Sequence, residues 1–161
     1  MDYVLSKKGR GCLFCRILRE KKDAENLIVR RGRTAFVMLN RFPYNNGHLM
    51  ILPNRHCTDP AALNERESEE VFSLLKISTR VLAESLRPHG FNIGINLGKA
   101  AGAGSPHLHI HIVPRWNGDT NFMPVAGETK VIPEFLRDTY HRLQGAFQSA
   151  AEKKRKGGGR T

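Results

Sequence analysis

Apolar positions along this chain fall in short blocks, and their spacing switches between the two-residue period of strands and the 3.6-residue period of helices. Thr34-Ala-Phe-Val-Met-Leu39 and His48-Leu-Met-Ile-Leu52 are short, β-prone and bounded by turn chemistry, namely Pro43-Tyr-Asn-Asn-Gly47 and then Pro53. They read as an antiparallel pair. Asp59-Pro60 offers an N-cap and a first-turn proline for a helix carrying Val71, Leu74, Leu75, Ile77, Val81, Leu82 and Leu86, which ends before Pro88. Phe91-Asn-Ile-Gly-Ile-Asn-Leu97 alternates, predicting a strand with one face buried. A glycine-rich loop, 98–105, separates it from His107-Leu-His-Ile-His-Ile-Val113, a strand expected to stop at Pro114. A polar loop covers 116–122, and a second helix runs from Ile132 to about Lys154 with Phe135, Leu136, Tyr140, Leu143 and Phe147 at helical spacing. The order strand, strand, helix, strand, strand, helix predicts an α+β domain with an antiparallel sheet and helices packed against it.

At 161 residues the chain is one domain's worth, with residues 1–10 expected to fray, a folded body over 11–150, and a basic, glycine-rich disordered tail over 151–161. Hydrophobic residues at 40% and charged residues at 25% exclude a disordered or collagen-like chain. No apolar run approaches the roughly 20 residues of a membrane span, and no secretory h-region opens the sequence, so a cytoplasmic, membrane-free protein is expected. The net charge is +11, but five of the cations lie in the terminal run 153–160, and +11 less those five is +6. Nucleic-acid contact is therefore expected only as weak contacts of the tail. Three cysteines, an odd number, argue against a closed disulfide framework.

The candidate chemistry lies in His107, His109 and His111. Alternation along a strand sends all three imidazoles to one face, while Leu108, Ile110 and Ile112 go to the other. Three adjacent imidazoles are a poor choice for burial, since each needs a hydrogen-bond partner. Metal ligation and work at phosphorus both suit such a face. No carboxylate lies in the strand or its preceding loop to complete a catalytic metal site, whereas the glycines and Ser105 let backbone N–H groups cradle a phosphate. Phosphate chemistry fits better, with a neutral imidazole as nucleophile.

His107-Leu-His-Ile-His-Ile-Val113 matches the His-φ-His-φ-His-φ-φ signature, φ being hydrophobic, and thereby resembles the histidine triad (HIT) superfamily. The likeness extends to residues 40–56, similar to the family's Gly-His strand and Pro-x-x-His turn, and to Val113-Pro-Arg-Trp-Asn-Gly-Asp-Thr-Asn-Phe-Met123, typical of the Fhit-like branch with its diadenosine polyphosphate hydrolases and phosphorylases. The resemblance implies a five-stranded antiparallel sheet with two main helices, a homodimer, and a nucleotide substrate. It also implies attack of His109 on the α-phosphorus to form a nucleotidyl-histidine. His111 would contact the reacting phosphate and aid proton transfer, with His48 beside it. Asn40 and Asn96 occupy positions of ribose- and phosphate-binding side chains in relatives, or else serve as turn-capping and strand-face amides. Gly104 and Ser105 are candidate phosphate donors. Many Fhit-like members carry a glutamine where this chain has Ala103, a departure that bears on the loop's role.

Cys12 and Cys15 have the C-x-x-C spacing that seats two thiolates on one tetrahedral ion, and two further ligands are required. His56 and His107 are available, and the resemblance implies a structural zinc closed by the Pro-x-x-His histidine and the first histidine of the triad. A thioredoxin-like role lacks the βαβ context, and Cys57 reads as a packing residue. The alternatives to diadenosine polyphosphate cleavage are a nucleoside phosphoramidase of the Hint kind and a nucleotide-binding sensor or scaffold. The acceptor, water or inorganic phosphate, stays open.

Overall fold

The computed structural model describes residues 11–119 and 134–157, with side chains as far as Glu152. Its elements are α1 (Leu13–Glu20), β1 (Ile28–Arg31), β2 (Ala35–Leu39), β3 (Leu49–Pro53), α2 (Glu65–Leu86), β4 (Gly90–Ile95), β5 (Ile110–Arg115) and α3 (Leu136–Gly157). The strands form one antiparallel sheet in the order β1-β2-β3-β5-β4. This is the expected α+β architecture. Sequence reasoning missed β1, which has four residues, and α1, whose two buried side chains, Phe14 and Ile17, make a short i,i+3 stripe.

The two sheet faces are covered differently because strand alternation sorts the side chains. Val37, Leu39, Leu49, Ile51 and Ile112 pack under α2 and α3 with Leu74, Leu82, Leu143 and Phe147. Phe36, Met38, Met50 and Leu52 face the other way, against Phe14 and Ile17 of α1. Met50 is the register partner of His111, so the histidines share the α1 side of the sheet. The helices make their main contacts on β1, β2 and β3; the strand expected to bury one face is instead the edge strand β4, where Phe91 packs partly against the core and Ile93 and Ile95 stay exposed because, among the described residues, no further strand or helix covers that end.

Two boundaries differ from expectation. Asp59 caps only a single 3-10 turn, Pro60–Ala62, while α2 starts after Asn64, which exchanges hydrogen bonds with Glu67 in a capping box. Leu63 lies in extended backbone and separates the two. The last strand does not stop at Pro114: it runs to Arg115, and Pro114 pairs with Phe91. Beyond Ile112 this strand has β4 on one side and no longer pairs with β3, so the missing N–H breaks no ladder there. The polar loop expected at 116–122 is described only to Asp119, and the expected helix start at Ile132 lies outside the described residues, as do residues 1–10 and 158–161. The backbone of α3 continues to Gly157, into the stretch expected as a tail. Among the described residues no helix is long and apolar enough to cross a membrane.

Candidate active site and metal cluster

His48 opens β3 from a tight connector. A Cβ at Gly47, whose φ is +73°, would strike Leu86 and crowd Leu82, so only glycine lets the chain pass α2 there. Asn45 fastens the connector by donating to the Pro114 carbonyl at 3.1 Å and to Asp119 Oδ2 at 2.7 Å. Arg115 grips the same carboxylate through Nε and one terminal nitrogen, at 2.7 and 2.6 Å. The connector is thereby tied to the far end of the histidine strand.

All three triad histidines, and His48, are buried: His48 is 0% exposed, His109 6% and His111 9%. The expectation that three imidazoles would avoid burial is corrected by their partners. His107 and His109 precede the first residue of β5, yet remain extended enough to keep the alternation, with Leu108 and Ile112 buried and ring centroids of His109 and His111 4.7 Å apart. Phe14 of α1 packs against both His107 and His109.

Backbone partners fix the tautomers, because a carbonyl only accepts and an amide N–H only donates. The His107 carbonyl accepts from His109 Nδ1 at 2.7 Å, so Nδ1 carries the proton and Nε2 keeps its lone pair. The Pro53 carbonyl accepts from His107 Nε2 at 2.9 Å, leaving Nδ1 as a lone-pair donor. Tyr44 N–H donates to His48 Nδ1 at 3.1 Å, so His48 Nε2–H donates to His111 Nδ1 at 2.9 Å. His111 must then carry its proton on Nε2. Burial, followed by the neighbouring His109, pushes the His111 pKa down to about 4, so the ring is neutral at physiological pH.

The other proposed ligand-binding positions are placed less directly. Asn40 Oδ1 accepts from Phe42 N–H at 3.0 Å, a turn-capping bond, and its Nδ2 lies 3.4 Å from His48 Nδ1. Asn96, Gly104 and Ser105 line a cleft of about 440 Å³ beside the glycine loop, together with Asp59, Lys99 and His107. Ser105 Oγ accepts from His107 N–H at 3.4 Å; among the described contacts neither it nor Gly104 touches His109. Sequence reasoning missed Tyr44, whose N–H sets the His48 tautomer and whose ring lies 4.8 Å from that of His48. An aromatic four residues before His48 was the available signal. The carbonyls of Pro53 and His107 leave no signal in side-chain identity.

On the far side of His107, Cys12, Cys15, His56 and His107 bring their ligand atoms within 4.8 Å of one another. The individual separations are 3.3 Å between His56 Nδ1 and His107 Nδ1, 3.4 Å from Cys12 Sγ to His107 Nδ1, and 3.6 Å from Cys15 Sγ to each imidazole. A tetrahedron with Zn–N of about 2.05 Å and Zn–S of about 2.3 Å has edges of roughly 3.3 Å between nitrogens and 3.6 Å between sulfur and nitrogen. The four residues fit such an ion. Burial, then the adjacent Cys12 thiol, raise the Cys15 pKa, so a thiolate pair here calls for a cation. The Pro53 carbonyl on His107 Nε2 is the outer-shell partner that metal-ligating imidazoles ordinarily have.

A five-stranded sheet presenting an alternating histidine triad agrees with the match of residues 21–118 to the HIT domain model, and the chain belongs to the HIT domain family. Among its relatives, it is 48% identical over 122 residues to AP-4-A phosphorylase of Mycobacterium tuberculosis, the match covering 75% of this chain and 63% of that protein. The matched segment thus spans less than two thirds of that relative's length. Over 107 residues it is 26% identical to the adenosine 5'-monophosphoramidase of Schizosaccharomyces pombe, covering 66% of this chain and 76% of that one. A solved Zn-bound histidine triad family protein from Mycobacterium smegmatis superposes with a TM-score of 0.71 at 25% identity, covering 89% of this chain and 97% of that one.

Proposed function

We propose that this protein transfers a nucleotidyl group from a diadenosine polyphosphate, using His109 Nε2 as the nucleophile. The observation that carries this reading is the 2.7 Å bond from His109 Nδ1–H to the His107 carbonyl, which reserves the Nε2 lone pair for chemistry. Nε2 attacks the α-phosphorus, an N–P bond forms, and the P–O bond to the remaining polyphosphate breaks with its electron pair. His111 Nε2–H, its tautomer set by His48, donates toward the phosphate or leaving oxygen. The acceptor's oxygen then attacks phosphorus and releases its proton to solvent, and the N–P bond breaks with its electron pair returning to Nε2, so His109 regains its starting tautomer. Donors at Gly104 and Ser105 would meet phosphoryl charge, where loss of one such donor typically costs about 2.7–4 kcal/mol of transition-state stabilisation. Asn40 and Asn96 are assigned to ribose and phosphate contacts.

Cys12, Cys15, His56 and His107 would hold a structural zinc. There it would supply a rigid tie between the segment entering α1 and the strand bearing the nucleophile. The exposed apolar row on edge strand β4, with Ile93 48% exposed, supports pairing with a second copy into a homodimer. The protein would work in the cytoplasm, without a membrane.

The experiment is product analysis of diadenosine tetraphosphate turnover with and without inorganic phosphate. A phosphate-dependent yield of ADP assigns phosphorolysis, and AMP in its absence assigns hydrolysis; no cleavage under either condition removes the reading. The relationship to a monophosphoramidase supports a second reading, cleavage of a nucleoside phosphoramidate at the same phosphorus, which a direct comparison of kcat/KM on the two substrates decides.

A further inference from the structure

On the face of the sheet opposite the histidines, the turn after β1 and the N-terminal half of α2 enclose a cleft of about 740 Å³. Arg30 pairs in register with Val37, a member of the core beneath α2, which places it on that face. Arg30, Arg33, Arg66 and Ser73 line the cleft. Elsewhere in the fold Arg31, Arg55, Arg115 and Arg142 each have a carboxylate at 2.6–2.8 Å. Among the described residues none lies within ion-pair distance of Arg30, Arg33 or Arg66. Arg30 Nε is buried and has no hydrogen-bond partner, a costly state for a charged donor and one that an anionic acceptor relieves.

Two carboxylates also line the cleft, Glu69 and Glu70. Glu70 is committed elsewhere: it accepts from Arg33 N–H at 2.8 Å, from Thr34 N–H, and from Thr34 Oγ1 at 2.6 Å. Burial raises its pKa, and these hydrogen bonds, with one from Ala35, outweigh burial and leave it below the ordinary value. Its charge therefore clamps the β1–β2 turn. Three guanidiniums face two carboxylates, so the cleft keeps one net positive charge, and Glu70 spends its hydrogen-bonding capacity on the turn rather than on an arginine side chain.

We propose that this cleft is a binding site for an oligophosphate anion, separate from the histidine site. Planar guanidinium forks pair bidentately with phosphate oxygens, and three of them lining one cleft, two from β1 and its turn and one from α2, suit a chain of phosphates better than a single small anion. The volume falls in the range of small-molecule sites, enough for a triphosphate chain with or without a nucleoside.

The test is an amide-shift titration of the full-length protein with inorganic tripolyphosphate. Saturable shifts are expected at Gly32, Arg33, Thr34 and Ser73. Arg30→Gln should weaken binding about tenfold or more, as loss of one charge-assisted bond implies. Arg66→Gln, at an exposed position that leaves the fold intact, should also weaken it while turnover of dinucleotide stays unchanged. Lys153→Gln with Lys154→Gln should leave the cleft affinity as it was. A parallel titration with ATP separates the sources: tighter binding than tripolyphosphate means that the nucleoside is recognised, and equal binding means that the inorganic chain suffices. Unmoved amides at 32–34 and 73, wild-type affinity in both arginine variants, or loss of binding with the lysine substitutions alone would overturn the proposal.

Discussion

The carbonyl oxygen of His107 accepts the Nδ1–H of His109 at 2.7 Å, while the ring of the same His107 turns its Nδ1 toward Cys12, Cys15 and His56. One residue thus closes the Cys/His cluster and orients the imidazole proposed as nucleophile. The His107 backbone links the cluster to the His109 ring, and Phe14 packs against both imidazoles.

Loss of the cluster should therefore lower stability and activity together. Cys15→Ser, or chelation of the zinc-loaded protein, is expected to lower Tm by on the order of 5–10 °C and to reduce turnover in parallel. Calorimetry with a zinc-release assay checks this. A chelated protein with an unchanged Tm and no turnover would instead assign the metal to the chemistry.

The buried neutral state of His111 makes a pH prediction. Its folded pKa of about 4 lies below the unfolded value of about 6.5, so the unfolded chain binds the proton more tightly. The stability this neutral ring contributes is fully present above about pH 6.5 and is lost as pH falls from there toward 4. Melts across pH 4–7 should show that loss, and His111→Gln should flatten it. A histidine resonance titrating near 6.5 at position 111 would contradict the burial argument.

The proposed reaction makes His48 a positioning residue that acts through His111. In His48→Ala, the Tyr44 N–H and His111 Nδ1 lose their partner in a buried site, at a cost of about 1–3 kcal/mol in stability. The kcat should fall by about 10²-fold as the His111 tautomer is released, with KM little changed. Denaturant unfolding and steady-state kinetics on one preparation give both values. A variant that loses stability and keeps kcat would reduce His48 to a structural role.

Edge strand β4 supplies a prediction about assembly. Ile93→Lys places a charge in the exposed apolar row of this edge strand and should shift the proposed dimer to monomer in sedimentation without lowering its Tm by more than a few degrees. A wild-type protein that sediments as a monomer at micromolar concentration contradicts the pairing.

Much of this site was legible in the sequence because strand alternation is a rigid rule. It put Leu108 and Ile112 on one face and the histidines on the other, and the C-x-x-C spacing pointed to a ligand pair. What stayed hidden was carried by backbone groups and by short elements. The carbonyls of Pro53 and His107 are invisible in residue identity, although they decide both ring tautomers. Helix α1 has only Phe14 and Ile17 to bury, too brief a period to register, and β1 is shorter still. Asp-Pro at 59–60 is a strong start signal that here opens only a 3-10 turn, whereas Asn64 and Glu67 form the reciprocal pair that begins the helix.

The central claim is a covalent bond between His109 Nε2 and the α-phosphorus of the substrate. Acid-quenched turnover of diadenosine tetraphosphate, followed by peptide mass spectrometry under conditions that preserve phosphoramidates, tests it most directly. The account predicts adenylate attached at His109 during turnover, and neither adduct nor activity in His109→Ala. An active preparation that yields no adduct at any time point, or His109→Ala turning over at the wild-type rate, would contradict it.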